Sequence, residues 1–155
     1  MTDENTIASG LTLLNITPPA QAFWLLPFSA RGLTQTLAFD EEIGRSIRRD
    51  WNGKLRDISN PILRNYKSTI TCKEVETPAF DGAWLGVEAQ VDCCAELSYL
   101  TATESPHRAV VSGSSRIEGD FTFFRPSLLM MVVDIRNSLD EYAADYAWQI
   151  DLIEI

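Results

Sequence analysis

Two runs, Tyr66-Lys-Ser-Thr-Ile-Thr-Cys-Lys73 and Val87-Glu-Ala-Gln-Val-Asp-Cys-Cys-Ala-Glu-Leu-Ser-Tyr99, decide how this chain is read. In the first, Tyr66, Ser68, Ile70 and Cys72 alternate with Lys67, Thr69, Thr71 and Lys73. In the second, Val87, Ala89, Val91, Cys93, Ala95, Leu97 and Tyr99 alternate with Glu88, Gln90, Asp92, Cys94, Glu96 and Ser98. A period of two puts one set of side chains on each face of a strand, so each run is a half-buried strand. Between them, Pro78 cannot donate to a ladder and Asp81-Gly82 supplies a reversal through positive φ. The expected unit is a β-hairpin turning on Asp81-Gly82, with Ile70 opposite Ala95, Cys72 opposite Cys93, and Phe80 and Trp84 near its tip.

Working outward, Leu33, Gln35, Leu37 and Phe39 alternate with Gly32, Thr34, Thr36 and Ala38, which predicts another strand. Asn52-Gly53 separates Ser46–Trp51 from Lys54–Ile58, a strong hairpin signal with both turn residues at positive φ. Ahead of these, Leu11–Ile16 and Ala22–Phe28 are apolar but interrupted by Pro18-Pro19 and Pro27. Proline so placed argues against a helix. Residues 1–30 therefore read as an extended N-terminal arm, with Trp24 and Phe28 as anchors, and deletion through Ala30 should leave a soluble fold that no longer assembles. Residues 31–155 read as a single β domain.

Towards the C-terminus, Phe121–Arg125 is a strand by composition, closed by Pro126. Leu128–Ile135 is an apolar run broken only by Asp134, the pattern of a strand covered on both faces, ended by Asn137-Ser138. Leu139–Tyr146 reads as a loop or single helical turn, then a final strand alternates from Tyr146 to Ile155. Helical periodicity is sustained nowhere. The fold class is mainly β, an antiparallel sandwich or barrel with the extended arm.

Of 155 residues 45% are hydrophobic and 23% charged, the balance of an ordinary globular domain. The net charge of −9 opposes binding to nucleic acid. Seven of the thirteen basic residues fall between Arg45 and Lys67, opposed there only by Asp50 and Asp57. That segment carries +5 and the remainder −14, a polarity suited to contact with copies or acidic neighbours. The longest apolar run is too short for membrane insertion, which needs about 20 residues. The acidic start lacks the features of a signal peptide, so synthesis in a cytoplasm is expected. Three cysteines do not make a disulfide scaffold; of Cys93 and Cys94, one is expected buried and the other half exposed.

No stretch spells out catalytic chemistry. His107 is the one histidine and lies in a Ser-Pro-His-Arg loop, read as surface. No metal-ligand spacing, nucleophile elbow or phosphate loop occurs. Asp120, Asp134, Asp145, Asp151 and Glu154 are the carboxylates that could pair, and they also suit a wet sheet face. The expected sites are thus contacts rather than catalytic centres, with no cofactor and no metal: Trp24, Phe28, Arg48, Arg49, Trp51, Phe80 and Trp84.

Thr69-Ile-Thr-Cys72, Pro78-Ala-Phe-Asp-Gly-Ala-Trp-Leu-Gly86, Val91-Asp-Cys93 and Leu97-Ser-Tyr99, with Ser112-Gly-Ser-Ser-Arg-Ile-Glu-Gly119 and Phe123-Phe-Arg-Pro-Ser-Leu128, resemble small virion proteins encoded among the structural genes of long-tailed bacteriophages. The resemblance is one of pattern and covers about Arg31 to Ile155. It implies a structural component of the virion, in the tail tip or baseplate, rather than an enzyme. The implied partners are copies of the chain and other phage tail structural proteins. A capsid decoration protein and a carbohydrate- or receptor-binding module are the alternatives.

Overall fold

The computed structural model describes residues 14–17, 33–40, 47–74, 84–143 and 145–155. Their regular structure is β apart from one 3-10 turn, Pro61–Leu63. In chain order the strands are β1 (Asn15–Thr17), β2 (Thr34–Phe39), β3 (Ile47–Arg49), β4 (Leu55–Asp57), β5 (Tyr66–Glu74) and β6 (Glu88–Asp92). They continue as β7 (Leu97–Leu100), β8 (Ala109–Val110), β9 (Arg116–Glu118), β10 (Phe121–Phe124), β11 (Pro126–Asp140) and β12 (Asp145–Glu154). The largest sheet is antiparallel, in the order β1-β6-β11-β12-β5-β2 with β8 also on β11, and it curls into a half-barrel. A smaller sheet has the order β7-β10-β9, and among the described residues β3 pairs only with β4.

The centre of the large sheet is the long hairpin of β11 and β12. Asp140 ends β11 and closes the reversal, its Oδ1 accepting hydrogen bonds from the amides of Tyr142 and Ala143. The register slips once, between Val132 and Asp134. That extra residue, Val133, changes which face the following side chains occupy. Val132 faces inward opposite Leu152, and after the bulge Ile135 faces inward opposite Ile150. Without it, Asp134 would point into the core.

The expected hairpin around Asp81-Gly82 does not form. Tyr66–Glu74 pairs with β12 and β2, whereas Glu88–Asp92 pairs with β11 and β1. Two strands lie between them, so Cys72 stands opposite Trp148 instead of Cys93. The first run is one strand as expected, but the second breaks at Cys93–Glu96 into β6 and β7, which belong to different sheets, so both its continuity and the partnership fail. The longer apolar β11 and β12 offer each run more buried surface than they could give each other. Residues 75–83, including the turn itself, lie outside the described residues.

Other expectations are corrected in the same way. Asn137-Ser138 does not end its strand, because β11 continues against β12 to Asp140. Pro126 opens β11 rather than closing β10, a strand's first position being one where its missing N–H does no harm. Of residues 1–30 only 14–17 are described. There Asn15–Thr17 is extended, pairing along β6 with Ile16 opposite Val91.

The core gathers Leu14, Ile16, Ile70, Val91, Leu128, Met130, Val132, Trp148, Ile150 and Leu152 from five successive strands of this sheet, β1 to β5 in its order, and the residue before β1. Two polar devices hold the curl. Gln35, on the inward side of edge strand β2, donates from Nε2 to Ser68 Oγ (3.0 Å). Its Oε1 accepts from the amides of Cys94 (2.8 Å) and Ala95 (3.2 Å) and from the Cys94 thiol. A single side chain thus ties the β2 edge to the link between β6 and β7. At the other end Glu154 binds Arg108 Nε (2.5 Å) and accepts from the Tyr66 amide (2.9 Å). Arg108 also donates to the Arg64 carbonyl and lies over the Tyr66 ring.

Because Leu14 and Ile16 are buried, deletion through Ala30 strips an edge of the core, contrary to the expectation above. Ile16→Ala should lower the unfolding free energy by about 2–5 kcal/mol, read from urea midpoints at unchanged slope. The cysteines give a second measurement. All three are thiols outside any disulfide, with Cys72 and Cys93 buried and Cys94 half-buried. Burial raises both neighbouring thiols, Cys93 to about 12. The reactive species is the thiolate, so maleimide should modify Cys94 first and faster as pH rises. Gln35→Ala should speed that reaction; equal rates at all three cysteines in the folded protein would contradict this packing.

Candidate functional site

A bare two-stranded hairpin is marginal in water, so one that projects from a domain calls for an explanation. Here Ile47 pairs with Asp57, Arg48 with Arg56 and Arg49 with Leu55. The turn is three residues long, not two. The Asp50 amide donates to the Lys54 carbonyl, and the Gly53 amide donates back to the Asp50 carbonyl, each at 2.9 Å. Gly53, at φ 78°, takes the left-handed position that such a turn requires. Asp50 Oδ1 accepts from the Asn52 amide (2.7 Å) and Arg49 Nη1 donates to the Gly53 carbonyl (2.9 Å), so local groups set the turn. Trp51 stands at its tip, 93% exposed.

From Ile47 to Arg64 every residue is exposed save the half-buried Asp50 and Ser59. This stretch displays Ile47, Trp51, Leu55, Ile58, Ile62 and Leu63 to solvent. With them are five cations, Arg48, Arg49, Lys54, Arg56 and Arg64, against Asp50 and Asp57. Arg48 and Arg56 are directly opposite, a like-charge pair that weakens a ladder. Asp50 offsets one of them by binding Arg56 Nε at 3.0 Å. Asp57 accepts from Ser59 through both its amide and its hydroxyl, which with nearby Arg64 holds its carboxyl below the usual range. The hairpin thus ends in a local lock at Asp57 and Ser59, followed by the 3-10 turn that Asn60 caps through its side chain.

The structure brings Arg48, Arg49 and Trp51 together on this hairpin. Trp84 is elsewhere, 75% exposed on the turn that Gly86 ties to the Val132 carbonyl (2.8 Å). Trp24, Phe28 and Phe80 lie outside the described residues. Leu55, Ile58 and Ile62 escaped the sequence reading because isolated apolar residues near a turn carry no periodic signal.

A second group was missed too. Leu129, Met131 and Val133 line the outward side of β11, beside Ile153 and Ile155 of the C-terminal strand and its end. Leu129, Val133 and Ile155 are 45%, 38% and 56% exposed. The unbroken stretch Leu128–Val133 was the signal, since it implies apolar side chains on both faces. Within the chain only the inward set, Leu128, Met130 and Val132, is buried.

The carboxylates are dispersed. Asp134 and Asp151 oppose each other on the outward face, Asp134 held by Arg136 Nε (2.7 Å) and Asp151 by Gln149. Glu154 is engaged by Arg108, and Asp145 faces Asp140 at the β11–β12 reversal. His107 is exposed. Among the described residues no three of His, Cys, Asp and Glu form a metal-binding group, and no helix is long and apolar enough to cross a membrane. Compared with known proteins, the chain matches no family model, no curated protein and no solved structure.

A self-contained hairpin of this kind leaves the core untouched when its side chains are cut back. Trp51→Ala and Leu55→Ala should each shift the global unfolding free energy by no more than about 0.5 kcal/mol. Amides of β3 and β4 should exchange far faster than those of β11 and β12, measured by native-state hydrogen exchange on the monomer.

Proposed function

We propose that this chain is a structural assembly protein without catalytic activity, docked into a larger particle through the β3–β4 hairpin. Together with the resemblance noted above, the reading is a structural component of a bacteriophage virion, in the tail tip or baseplate. It contacts copies of itself and neighbouring tail proteins there, and it reaches the virion after synthesis in the host cytoplasm. On this reading the β domain closes as a sandwich or barrel, and the part of residues 1–30 beyond β1 extends to a neighbour.

The observation that carries the proposal is the stretch 47–64. It exposes six large apolar side chains and five cations on a unit whose strands, among the described residues, pair only with each other. Tryptophan and arginine are the residues that most often dominate interface energies. Exposed apolar surface that neither fills the core nor lines a cavity is offset when a partner covers it. The cations select for that partner an acidic surface, at close range because charges are screened beyond about 8 Å at physiological salt. Trp51 and Trp84 are exposed enough to stack on sugar as well, the reading of a carbohydrate-binding module. Retention on a glycan array, lost in Trp51→Ala or Trp84→Ala, would favour that second reading.

The test is complementation with the doubly reversed variant Arg48→Glu/Arg49→Glu. Incorporation into particles should fall by about tenfold or more, the effect of about 1.4 kcal/mol, while the variant's melting temperature stays at the wild-type value. Full incorporation would refute docking through the hairpin. A map of the particle with copies on the capsid lattice would move the protein from the tail to capsid decoration.

A further inference from the structure

We propose that the hairpin's partner is the outward face of β6, β11 and β12 on a second copy of this chain, a head-to-tail contact. The proposal rests on the assembly reading above and gives the hairpin its acceptor. Two surfaces of one chain are left open, and they are complementary in both hydrophobicity and charge.

The acceptor is an apolar ridge on a sheet face. Met131 stands directly opposite Ile153, the Ile155 amide donates to the Leu129 carbonyl, and Val133 is the bulged residue one step along. Leu85 and Trp84 flank the ridge on the turn tied to Val132. Antiparallel sheets that face water on one side alternate apolar with polar, but β11 is apolar on both sides through this stretch. Such a strand is expected to be covered twice, and among the described residues it is covered once.

The charges around the ridge are mostly acidic. Glu88 is opposite Met131, Asp134 and Asp151 form the next rung, and Asp92 lies further along β6. The cations on the same face are Lys67, opposite Ile153, Lys73, opposite Ala147 at the far end, and Arg136, already bound to Asp134. The hairpin presents the opposite arrangement, Ile47, Trp51, Leu55 and Ile58 among Arg48, Arg49, Lys54 and Arg56. Apolar groups meet apolar groups, and Arg48 and Arg49, which pair with no carboxylate among the described residues, find carboxylates across the contact. Hairpin and ridge are different surfaces, so each copy offers one of each. Contacts of that type propagate, closing into a ring when the rotation permits and running on as a filament when it does not.

The experiment uses the full chain and two variants, Arg48→Glu/Trp51→Ala on the hairpin and Glu88→Lys/Val133→Lys on the ridge, followed by sedimentation velocity. Wild type should associate with rising concentration and dissociate as salt is raised. Each variant alone should be monomeric. Mixed in equal amounts they should form dimers that grow no further, because only one intact hairpin and one intact ridge meet. A wild type that stays monomeric up to about 1 mM, a variant that associates like wild type, or a mixture that stays monomeric would each overturn the proposal. So would a ridge variant that melts well below wild type when both are monomeric, since the ridge would then be covered within one chain. If wild type is monomeric while Arg48→Glu/Arg49→Glu still drops out of particles, the acceptor is another protein and the assembly reading survives. If neither effect occurs, both fail.

Discussion

The pairing of β11 with β12, with its one-residue bulge at Val133, is the constraint on which the rest of the molecule depends. It lies in the middle of the sheet order, and every other strand of that sheet is added outward from it. A strand as long as β11 needs its register right at both ends, because a slip of one residue turns every side chain over. The bulge is what lets Leu128, Met130 and Val132 face the core before it and Ile135 face the core after it. It also sets Asp134 outward, where Arg136 meets it. A local irregularity thereby keeps an acid out of an apolar interior, where an unpaired charge would cost several kcal/mol.

Curling the sheet creates a second requirement, because its edges leave backbone groups to satisfy. On one side Gln35 meets that requirement with a single amide, giving to Ser68 and receiving from Cys94 and Ala95. At the opposite end Glu154 and Arg108 draw together the start of β5, the end of β12 and the loop ahead of β8. The desolvation of this partly buried pair is offset by backbone hydrogen bonds to both partners, the arrangement in which such a pair is tolerable.

Against this tied interior, the β3–β4 hairpin behaves as a separate unit. Its turn is set by Asp50, Arg49 and Gly53 alone, and its base by Asp57 and Ser59. Nothing in those local bonds uses its apolar side chains. The same is true of Leu129, Met131 and Val133, which the inward packing does not need. Surfaces that folding does not use are the ones available for assembly, and here they carry opposite charge.

The sequence by itself determined the class and nearly every strand. Alternation in Tyr66–Lys73, Glu88–Asp92 and Leu33–Phe39, and the turn at Asn52-Gly53, are local properties that survive into the structure because side-chain period and turn chemistry act within a few residues, whereas the break of Val87–Tyr99 between two sheets is not local. Part of the candidate site was legible for the same reason, since Arg48, Arg49 and Trp51 cluster in the chain itself. Which strand lies beside which was decided only by tertiary structure. Asp81-Gly82 invites β5 and β6 to pair, but the long β11–β12 hairpin offers each of them a larger apolar surface and separates them. The outward ridge is likewise tertiary, because Leu129 and Ile155 become neighbours only when two distant segments pair. Periodicity says that a side chain faces one way or the other. Only the sheet order says what waits there, because that order is set by the sum of buried area over the whole chain.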